Sequence, residues 1–346
     1  MRIGAVVVAL VGAAAAVYFG GPDWSDVGDA FRAVEWRWLV VAIGLNLVSV
    51  VARTLAWATV IDEAVPPPHP RFLHVFSSFS IGLLANATLP GRVGELARVA
   101  VLTRHMPRLS GAWATLVGTV FAHRAFDVIP AALLVVWVLA AADLPHWAGP
   151  SLVIVFSIGG ALLLLALLLA RHHDRTQLDS ADAARRVWTK ARQGLGVMHR
   201  PAAAAAAIVF QLIGWLCQLF AVWIAMKAFS IDVELAAAGL VLVLMNMAAI
   251  IPLWPGNLGL LQVAIAAPLV GYGVPYAQGF AFGLGLQIIE TSVGIGFGLV
   301  FLGREGLSFA ALRRMPAAVE ALEEDEGEDE AEEAVEEREP ERALTL

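Results

Sequence analysis

The chain has 346 residues, of which 59% are hydrophobic and only 15% are charged, and its mean hydropathy is +0.74. Soluble domains carry about 45–50% apolar and about 25% charged residues, so this composition excludes an ordinary soluble domain and predicts an integral membrane protein. The net charge of −7 comes from one acidic segment near the C-terminus and does not describe the rest of the chain.

Long apolar runs recur along the chain, and each approaches the roughly 20 residues that a helix needs to cross about 30 Å of hydrocarbon. The runs cover residues 3–19, 38–61, 111–141, 151–170, 202–226 and 278–302. They lack the polar stripe of an amphipathic soluble helix. We therefore predict an all-α, polytopic membrane helix bundle of about six to eight spans. The first run also has features of a signal peptide, but further membrane sequence follows it, which favours an uncleaved first span.

The distribution of basic residues predicts the topology, because cytoplasmic loops carry an excess of Lys and Arg. Basic residues are concentrated in residues 92–108, 171–200 and 304–314, whereas residues 142–150 and 271–277 contain none. The N-terminus and the C-terminal tail are therefore expected in the cytoplasm, and the two loops without Lys or Arg outside. The predicted location is the cell (cytoplasmic) membrane.

This topology requires two segments that enter the membrane and return to the same face. Residues 62–71 and 92–108 are both expected inside, so the apolar segment 72–89 between them must turn back. Residues 229–234 and 271–277 are both expected outside, so the segment between them must turn back from the opposite face. If residues 62–71 lie outside instead, the first re-entrant segment becomes a full span.

A short repeated motif marks both re-entrant segments. Residues 89–99 read LPGRVGELARV and residues 254–264 read WPGNLGLLQVA, so that Pro90 and Pro255 are 165 residues apart. The same offset pairs Ala112 with Ala277, where the next apolar runs begin. Entry from opposite faces predicts an inverted repeat with half-repeats at about 72–141 and 236–302. Many secondary transporters are built in this way, with broken segments in matching positions.

The motif suggests an anion site. Pro lacks an N–H and Gly permits a sharp turn, so each Pro-Gly pair predicts a helix break. The helix after the break would present unpaired N–H groups and a partial positive charge, which suit a phosphate. We hypothesise that Arg92 and Arg98 contact the phosphate and that Glu95 fixes one of them by pairing. The candidate substrate-binding residues of the two motifs are Asn86, Pro90, Gly91, Arg92, Gly94, Glu95 and Arg98, then Pro255, Gly256, Asn257, Gly259 and Gln262. The alternative is that both Pro-Gly pairs are plain turns at the membrane surface.

Charged residues within apolar runs are costly and usually functional. Arg124 and Asp127 have i,i+3 spacing, which puts them on one helix face where they are expected to pair. Glu290 lies near the middle of the last run and is a candidate for a proton or substrate contact. The structural alternative for Arg124 and Asp127 is an ion pair between helices.

Other features of the runs have structural interpretations. Arg53 is expected to extend towards the cytoplasmic headgroups. Glycines with small-xxx-small spacing predict close helix packing. These glycines form the pairs Gly279/Gly283 and Gly294/Gly298.

Motifs of common catalytic sites are missing, since the chain has no Walker loop, no GxSxG and no HExxH. We expect no catalytic residues, no metal site and no cofactor. No nucleic-acid partner is expected, and a homo-oligomer or a partner membrane enzyme is compatible with the sequence. Residues 1–305 are the predicted transmembrane domain, and the acidic residues 306–346 are a predicted disordered cytoplasmic tail.

The first motif, Asn86-x-x-Leu89-Pro90-Gly91-Arg92-x-Gly94-Glu95-x-x-Arg98, resembles the signature of the lysylphosphatidylglycerol synthase transmembrane family, also described as flippase-like or UPF0104-type membrane proteins. Arg124-x-x-Asp127 fits the Asp/Glu-Arg region of that family, and residues 251–259 resemble its second motif. The family usually continues the second motif with an Arg-Glu pair, where this chain has Leu261 and Gln262. The resemblance covers roughly residues 5–305.

The resemblance implies movement of a lipid or a lipid-linked sugar across the bilayer, so the expected partner is a membrane lipid or lipid-linked substrate. It does not imply aminoacyltransferase activity, because the bifunctional synthases carry that activity in a large soluble domain. The function expected is therefore translocation of a phospholipid or polyprenyl-phosphate lipid by its anionic headgroup. The alternative is a membrane-embedded enzyme or accessory subunit that acts on such a lipid without moving it.

Overall fold

A computed structural model describes residues 21–89, 93–106, 112–142, 197, 200–249 and 257–311. Within these residues every regular element is a helix, which confirms the predicted all-α fold. In chain order the helices are α1 (Trp24–Arg32), α2 (Trp36–Ala64), α3 (Phe72–Thr88), α4 (Gly94–Thr103), α5 (Ala112–Ala141), α6 (Pro201–Ala228), α7 (Leu235–Ala248), α8 (Leu260–Val270) and α9 (Tyr276–Arg304).

Helices α2, α5, α6 and α9 are 28 to 30 residues long and apolar enough to cross a membrane. They confirm the spans predicted from runs 38–61, 111–141, 202–226 and 278–302, and α5 continues through Pro130. Large apolar side chains such as Val40, Phe121, Val136 and Ile288 are more than 60% exposed on these helices. Such side chains are stable against lipid, which is as apolar as they are. The predicted first span, the run 151–170 and residues 312–346 of the acidic tail lie outside the described residues.

The remaining apolar helices are shorter and form two pairs. Helix α3 packs against α4, and α7 packs against α8. At 1.5 Å per residue, α4 reaches only about 15 Å, and α7 and α8 about 21 Å and 16 Å, so none of these three can cross about 30 Å of hydrocarbon. We call the pairs the α3–α4 hairpin and the α7–α8 hairpin.

Helix α1 was not predicted, because nine residues of mixed polarity form no long apolar run. Asp23 caps its first turn by accepting a hydrogen bond from the N–H of Ser25. Trp24 contacts Phe280, and Phe31 contacts Phe229, in edge-to-face ring pairs. Tertiary aromatic contacts therefore stabilise a helix too short to be stable alone.

The chain divides into two compact units. One unit comprises the described residues within 1–50, 131–152 and 214–293 and contains the α7–α8 hairpin. Its core includes Leu242 of α7, Ile265 of α8 and Phe282 of α9. The other comprises residues 51–130, 153–213 and 294–346 and contains the α3–α4 hairpin. Each motif and its hairpin therefore belongs to a different unit.

The glycine pairs of α9 lie where this helix closely approaches a hairpin. Gly279 and Gly283 face α8, and Gly294 and Gly298 face α3. A Cβ added at Gly298 would lie only 2.5 Å from the Cβ of Leu84. The prediction that these glycines serve close packing is confirmed.

Candidate functional site

The first motif builds the contact between the two helices of the α3–α4 hairpin. Asn86, near the end of α3, accepts a hydrogen bond of 2.9 Å at Oδ1 from the N–H of Gly94, the first residue of α4. The sequence predicted an unpaired N–H at this helix start, whereas in the structure the N–H of Gly94 is bound by a side chain. Pro90, Gly91 and Arg92 lie outside the part of the chain that is described.

Four charged side chains of the first unit form one network. Glu95 pairs with Arg98 on α4 and with Arg124 on α5, and Arg124 also pairs with Asp127 at 3.2 Å. The expected Arg124–Asp127 pair and the expected pairing by Glu95 are both present. Glu95 bridges the two arginines, so the network ties the α3–α4 hairpin to α5. Two cations and two anions make its formal charge zero.

The two arginines of the network have different environments. Arg98 is 4% exposed, and its guanidinium lies over the rings of Trp57 (4.6 Å) and Phe79 (5.4 Å). The side chain of Arg124 is 51% exposed. The guanidinium that a ligand can reach in this structure is therefore that of Arg124, while that of Arg98 is enclosed by aromatic side chains. A direct contact between Arg98 and a phosphate stays a prediction.

The side chain of Arg124 lies on an exposed apolar face of α5. Phe121, Arg124 and Val128 share one face of α5 by their i, i+3, i+7 spacing, and all three are exposed. A charged group on this face is unusual in a membrane helix. The network therefore meets the surface at a place where apolar chains could lie beside a guanidinium.

Sequence reasoning missed several polar and aromatic residues around the network. His123 and Gln211 are buried and lie 3.1 Å apart between His123 Nε2 and Gln211 Nε2, and Thr119 accepts a hydrogen bond from Trp57. His123 and Gln211 interrupt apolar runs, which was a usable signal. Trp57 carried none, because an aromatic residue in an apolar run is indistinguishable from a lipid-facing one.

The described residues of the second motif form hydrogen bonds between amide side chains and the backbone. Gln262, fully buried, accepts a hydrogen bond of 2.6 Å from the N–H of Gly259 and donates one to Gln287. Gly259 has φ +89°, a conformation that favours glycine. Asn257 donates to the carbonyl of Ala248. These bonds explain why Asn, Gly and Gln occur at the predicted positions; Pro255 and Gly256 are not among the described residues.

Glu290 lies in α9 in the same unit as the second motif. Gln218 Nε2 of α6 donates a hydrogen bond of 2.9 Å to Glu290 Oε1. Asn46 of α2 donates to the main-chain carbonyl oxygens of Ile289 and Glu290. Glu290 had no evident partner nearby in the sequence, and its hydrogen-bond partner, Gln218, lies on another helix.

The described residues hold no group of three or more His, Cys, Asp or Glu side chains that could bind a metal ion. The charged network and its buried neighbours hold guanidinium, carboxylate, imidazole, hydroxyl and amide groups. These functional groups are suited to recognising a charged headgroup by hydrogen bonds and ion pairs.

Long apolar helices with lipid-compatible surfaces, two short hairpins and a charged network between helices define a polytopic integral membrane protein with a polar site in its interior. Residues 2–298 match the family model described as "Lysylphosphatidylglycerol synthase TM region", and the chain belongs to this family. It is 23% identical over 280 residues to a UPF0104 membrane protein of Methanothermobacter thermautotrophicus, an alignment that covers 73% of this chain and 80% of that protein. No solved structure shows a significant match to the chain.

Proposed function

We propose that this protein moves a lipid with an anionic headgroup, a phospholipid or a polyprenyl-phosphate lipid, across the cytoplasmic membrane. The observation that carries the proposal is the half-exposed Arg124, held by Glu95 and Asp127 on an apolar helix face. A guanidinium stays charged in proteins and offers a planar pair of donors that matches a phosphate. Membership of a family named for the membrane region of a phospholipid synthase supports a lipid substrate.

The charged network is suited to reversible binding of a headgroup. At rest, Glu95 and Asp127 neutralise Arg98 and Arg124, which limits the cost of charge in a low-dielectric environment. A phosphate that binds Arg124 would therefore displace one of its carboxylate partners, since Arg124 is not an unpaired cation. Binding by exchange is weak enough to be reversible, as transport requires. The acyl chains would stay against the exposed apolar face around Phe121 and Val128.

The two hairpins support a re-entrant, inverted-repeat arrangement. Each pairs short helices on either side of a Pro-Gly motif, and α4, α7 and α8 are too short to span the membrane. Broken segments of this kind hold substrates in transporters with inverted repeats. Among the described residues the charged network accompanies only the first hairpin, so in this proposal the first hairpin recognises the headgroup charge, and the second contributes amide contacts.

The proposal is tested with the purified full-length chain in phosphatidylcholine liposomes that contain a trace of fluorescent phosphatidylglycerol. Dithionite destroys the fluorophore in the outer leaflet only, so translocation appears as loss of more than half of the signal. The wild type is expected to exceed the protein-free rate without nucleotide or partner, and Arg124→Gln to fall to the protein-free rate. Arg37→Gln is the matched control, because Arg37 is 74% exposed and pairs only with Glu35 among the described residues.

Loss of no more than half of the signal in the wild type, with fluorescent phosphatidylglycerol and with a fluorescent polyprenyl phosphate, would contradict the proposal. That result would favour an enzyme or accessory subunit acting on such a lipid. A wild-type rate in Arg124→Gln would instead place the headgroup site elsewhere.

A further inference from the structure

His123 of α5 is a buried histidine next to the charged network, and its hydrogen bonds define its proton position. Nε2 lies 3.1 Å from the main-chain carbonyl oxygen of Arg53. Nε2 also lies 3.1 Å from the amide nitrogen of Gln211. A carbonyl oxygen can only accept, whereas the Gln211 amide has another acceptor, so we assign the proton of the neutral ring to Nε2. The amide nitrogen of Gln211 lies 3.4 Å from the main-chain carbonyl oxygen of His123 and donates a hydrogen bond to it. This amide therefore does not require the ring as an acceptor. Nδ1 is therefore the nitrogen with the lone pair.

Nδ1 is buried and has no hydrogen-bond partner among the described residues. The other side of the ring meets Phe79 edge-on. A structural histidine in a core normally satisfies both nitrogens, because an unpaired buried polar atom costs free energy. The lone pair on Nδ1 is thus a base without a proton, enclosed in the protein.

The charged groups that act on this ring are those of the network. Glu95 and Arg98 of α4, and Arg124 and Asp127 of its own helix, each interact electrostatically with the imidazole. Of the other packed helices, α2 presents the carbonyl of Arg53, α3 the ring of Phe79, and α6 the amide of Gln211. With both carboxylates paired to guanidinium groups, no net negative charge is available to stabilise an imidazolium.

We propose that His123 binds a proton at Nδ1 when an anionic headgroup engages Arg124, so that headgroup and proton are carried together. This inference rests on the proposed function. The headgroup adds a negative charge and releases a carboxylate from Arg124, and both changes favour a cation at His123. The proton comes from water, a new N–H bond forms at Nδ1, and the same proton returns to water when the headgroup leaves.

Thermodynamic linkage supplies the test. If binding takes up one proton, the affinity for the headgroup rises by up to about tenfold for each pH unit lowered. The probe is dihexanoylphosphatidylglycerol, a water-soluble anionic phospholipid, added to the full chain in phosphatidylcholine nanodiscs and followed by calorimetry from pH 6 to 8. The wild type is expected to show this dependence, and His123→Gln, which retains an N–H donor for the Arg53 carbonyl, to bind with a pH-independent Kd.

A second measurement reports the protonation state of the His123 ring directly. Imidazole ¹⁵N spectra, with His123 assigned by its loss in His123→Gln, are expected to change from the neutral Nε2–H form to the imidazolium when the probe is added. Arg124→Gln removes one cation from the network and is expected to charge His123 without any probe.

The outcomes separate this inference from the proposed function. Probe binding with His123 still neutral and a pH-independent Kd overturns the proton step and leaves headgroup binding intact. A neutral His123 in Arg124→Gln overturns the coupling whether or not the probe binds. If the wild type binds no probe but Arg124→Gln charges His123, the coupling is supported and the headgroup assignment fails.

Discussion

Gly82 of α3 and Gly94 of α4 approach each other so closely that neither has room for a side chain. A Cβ on Gly94 would lie 2.1 Å from the carbonyl oxygen of Gly82, and a Cβ on Gly82 would lie 2.7 Å from the carbonyl oxygen of Gly94. The obstacle is backbone on both sides and cannot rotate away. This contact sets the spacing of the α3–α4 hairpin, and with it the position of Glu95, the next residue.

The first prediction concerns this contact. Gly94→Ala and Gly82→Ala should each destabilise the protein by about 1–3 kcal/mol, the usual cost of overpacking a closely packed region. The measurement is the thermal unfolding midpoint in detergent. Gly44→Ala is the control, because a Cβ there meets nothing within 4 Å and alanine favours the helix. Equal midpoints for Gly94→Ala and Gly44→Ala would contradict the close contact.

The second prediction concerns Glu95. Glu95→Gln leaves the buried Arg98 without its paired carboxylate, and removal of one partner of a buried pair costs about 3–5 kcal/mol. Transport in the liposome assay should fall more than for Glu63→Gln. Glu63 follows the apolar run 38–61 and was expected in the loop after it, but it lies in the last turn of α2, which extends to Ala64. It pairs at 3.7 Å with the exposed Arg200. An exposed pair contributes about 0–1 kcal/mol, so Glu63→Gln remains a suitable control.

The third prediction concerns Arg92. Arg92→Lys keeps the charge but loses the planar donor pair that matches a phosphate. Transport should decrease while expression and the unfolding midpoint stay near those of the wild type. If Arg92→Lys and Glu95→Gln both transport lipid at the wild-type rate, the first motif is a structural turn and not a headgroup site.

The fourth prediction concerns topology. Single cysteines in a Cys217→Ser background should react with an impermeant thiol reagent from outside at positions 149 and 273, and only after permeabilisation at Arg186 and Glu326. Gly273 has φ +79°, which disfavours cysteine, so the neighbouring exposed Pro275 is the better position to substitute. Reaction at position 186 in intact cells would overturn the scheme.

The fifth prediction concerns the two hairpins. If they enter from opposite faces, residues near Asn86 and Asn257 should be accessible to water from opposite sides. Both asparagines form hydrogen bonds within their hairpins, so cysteines at Thr88 and Leu258 are less disruptive probes. Labelling of both positions from one side only would exclude an inverted repeat.

Pairing within one helix was predictable from spacing, and pairing between helices was not. The i,i+3 positions of Arg124 and Asp127 were sufficient to predict their contact, because helix geometry alone brings them together. The bridge from Glu95 to Arg124 spans 29 residues and depends on how α4 packs against α5. The same is true of Gln218 and Glu290, which are 72 residues apart.

The sequence by itself determined the membrane environment, the all-α fold and the bounds of the four long helices to within a few residues. A bilayer imposes a fixed length and polarity on each span, and this constraint is local, so it can be read from a run of residues. The positions of the two helix breaks could also be predicted from the local sequence, because each contains a Pro-Gly pair.

Only the tertiary structure decided which of the predicted residues a ligand can reach. It enclosed Arg98 between Trp57 and Phe79, left Arg124 on an exposed face, and brought His123 and Gln211 together in the interior. Burial and partner choice depend on contacts between helices that are distant in sequence, and a charged residue in an apolar run looks the same whether it is enclosed or open. For this reason the residue types of the site could be predicted, but their separate roles could not.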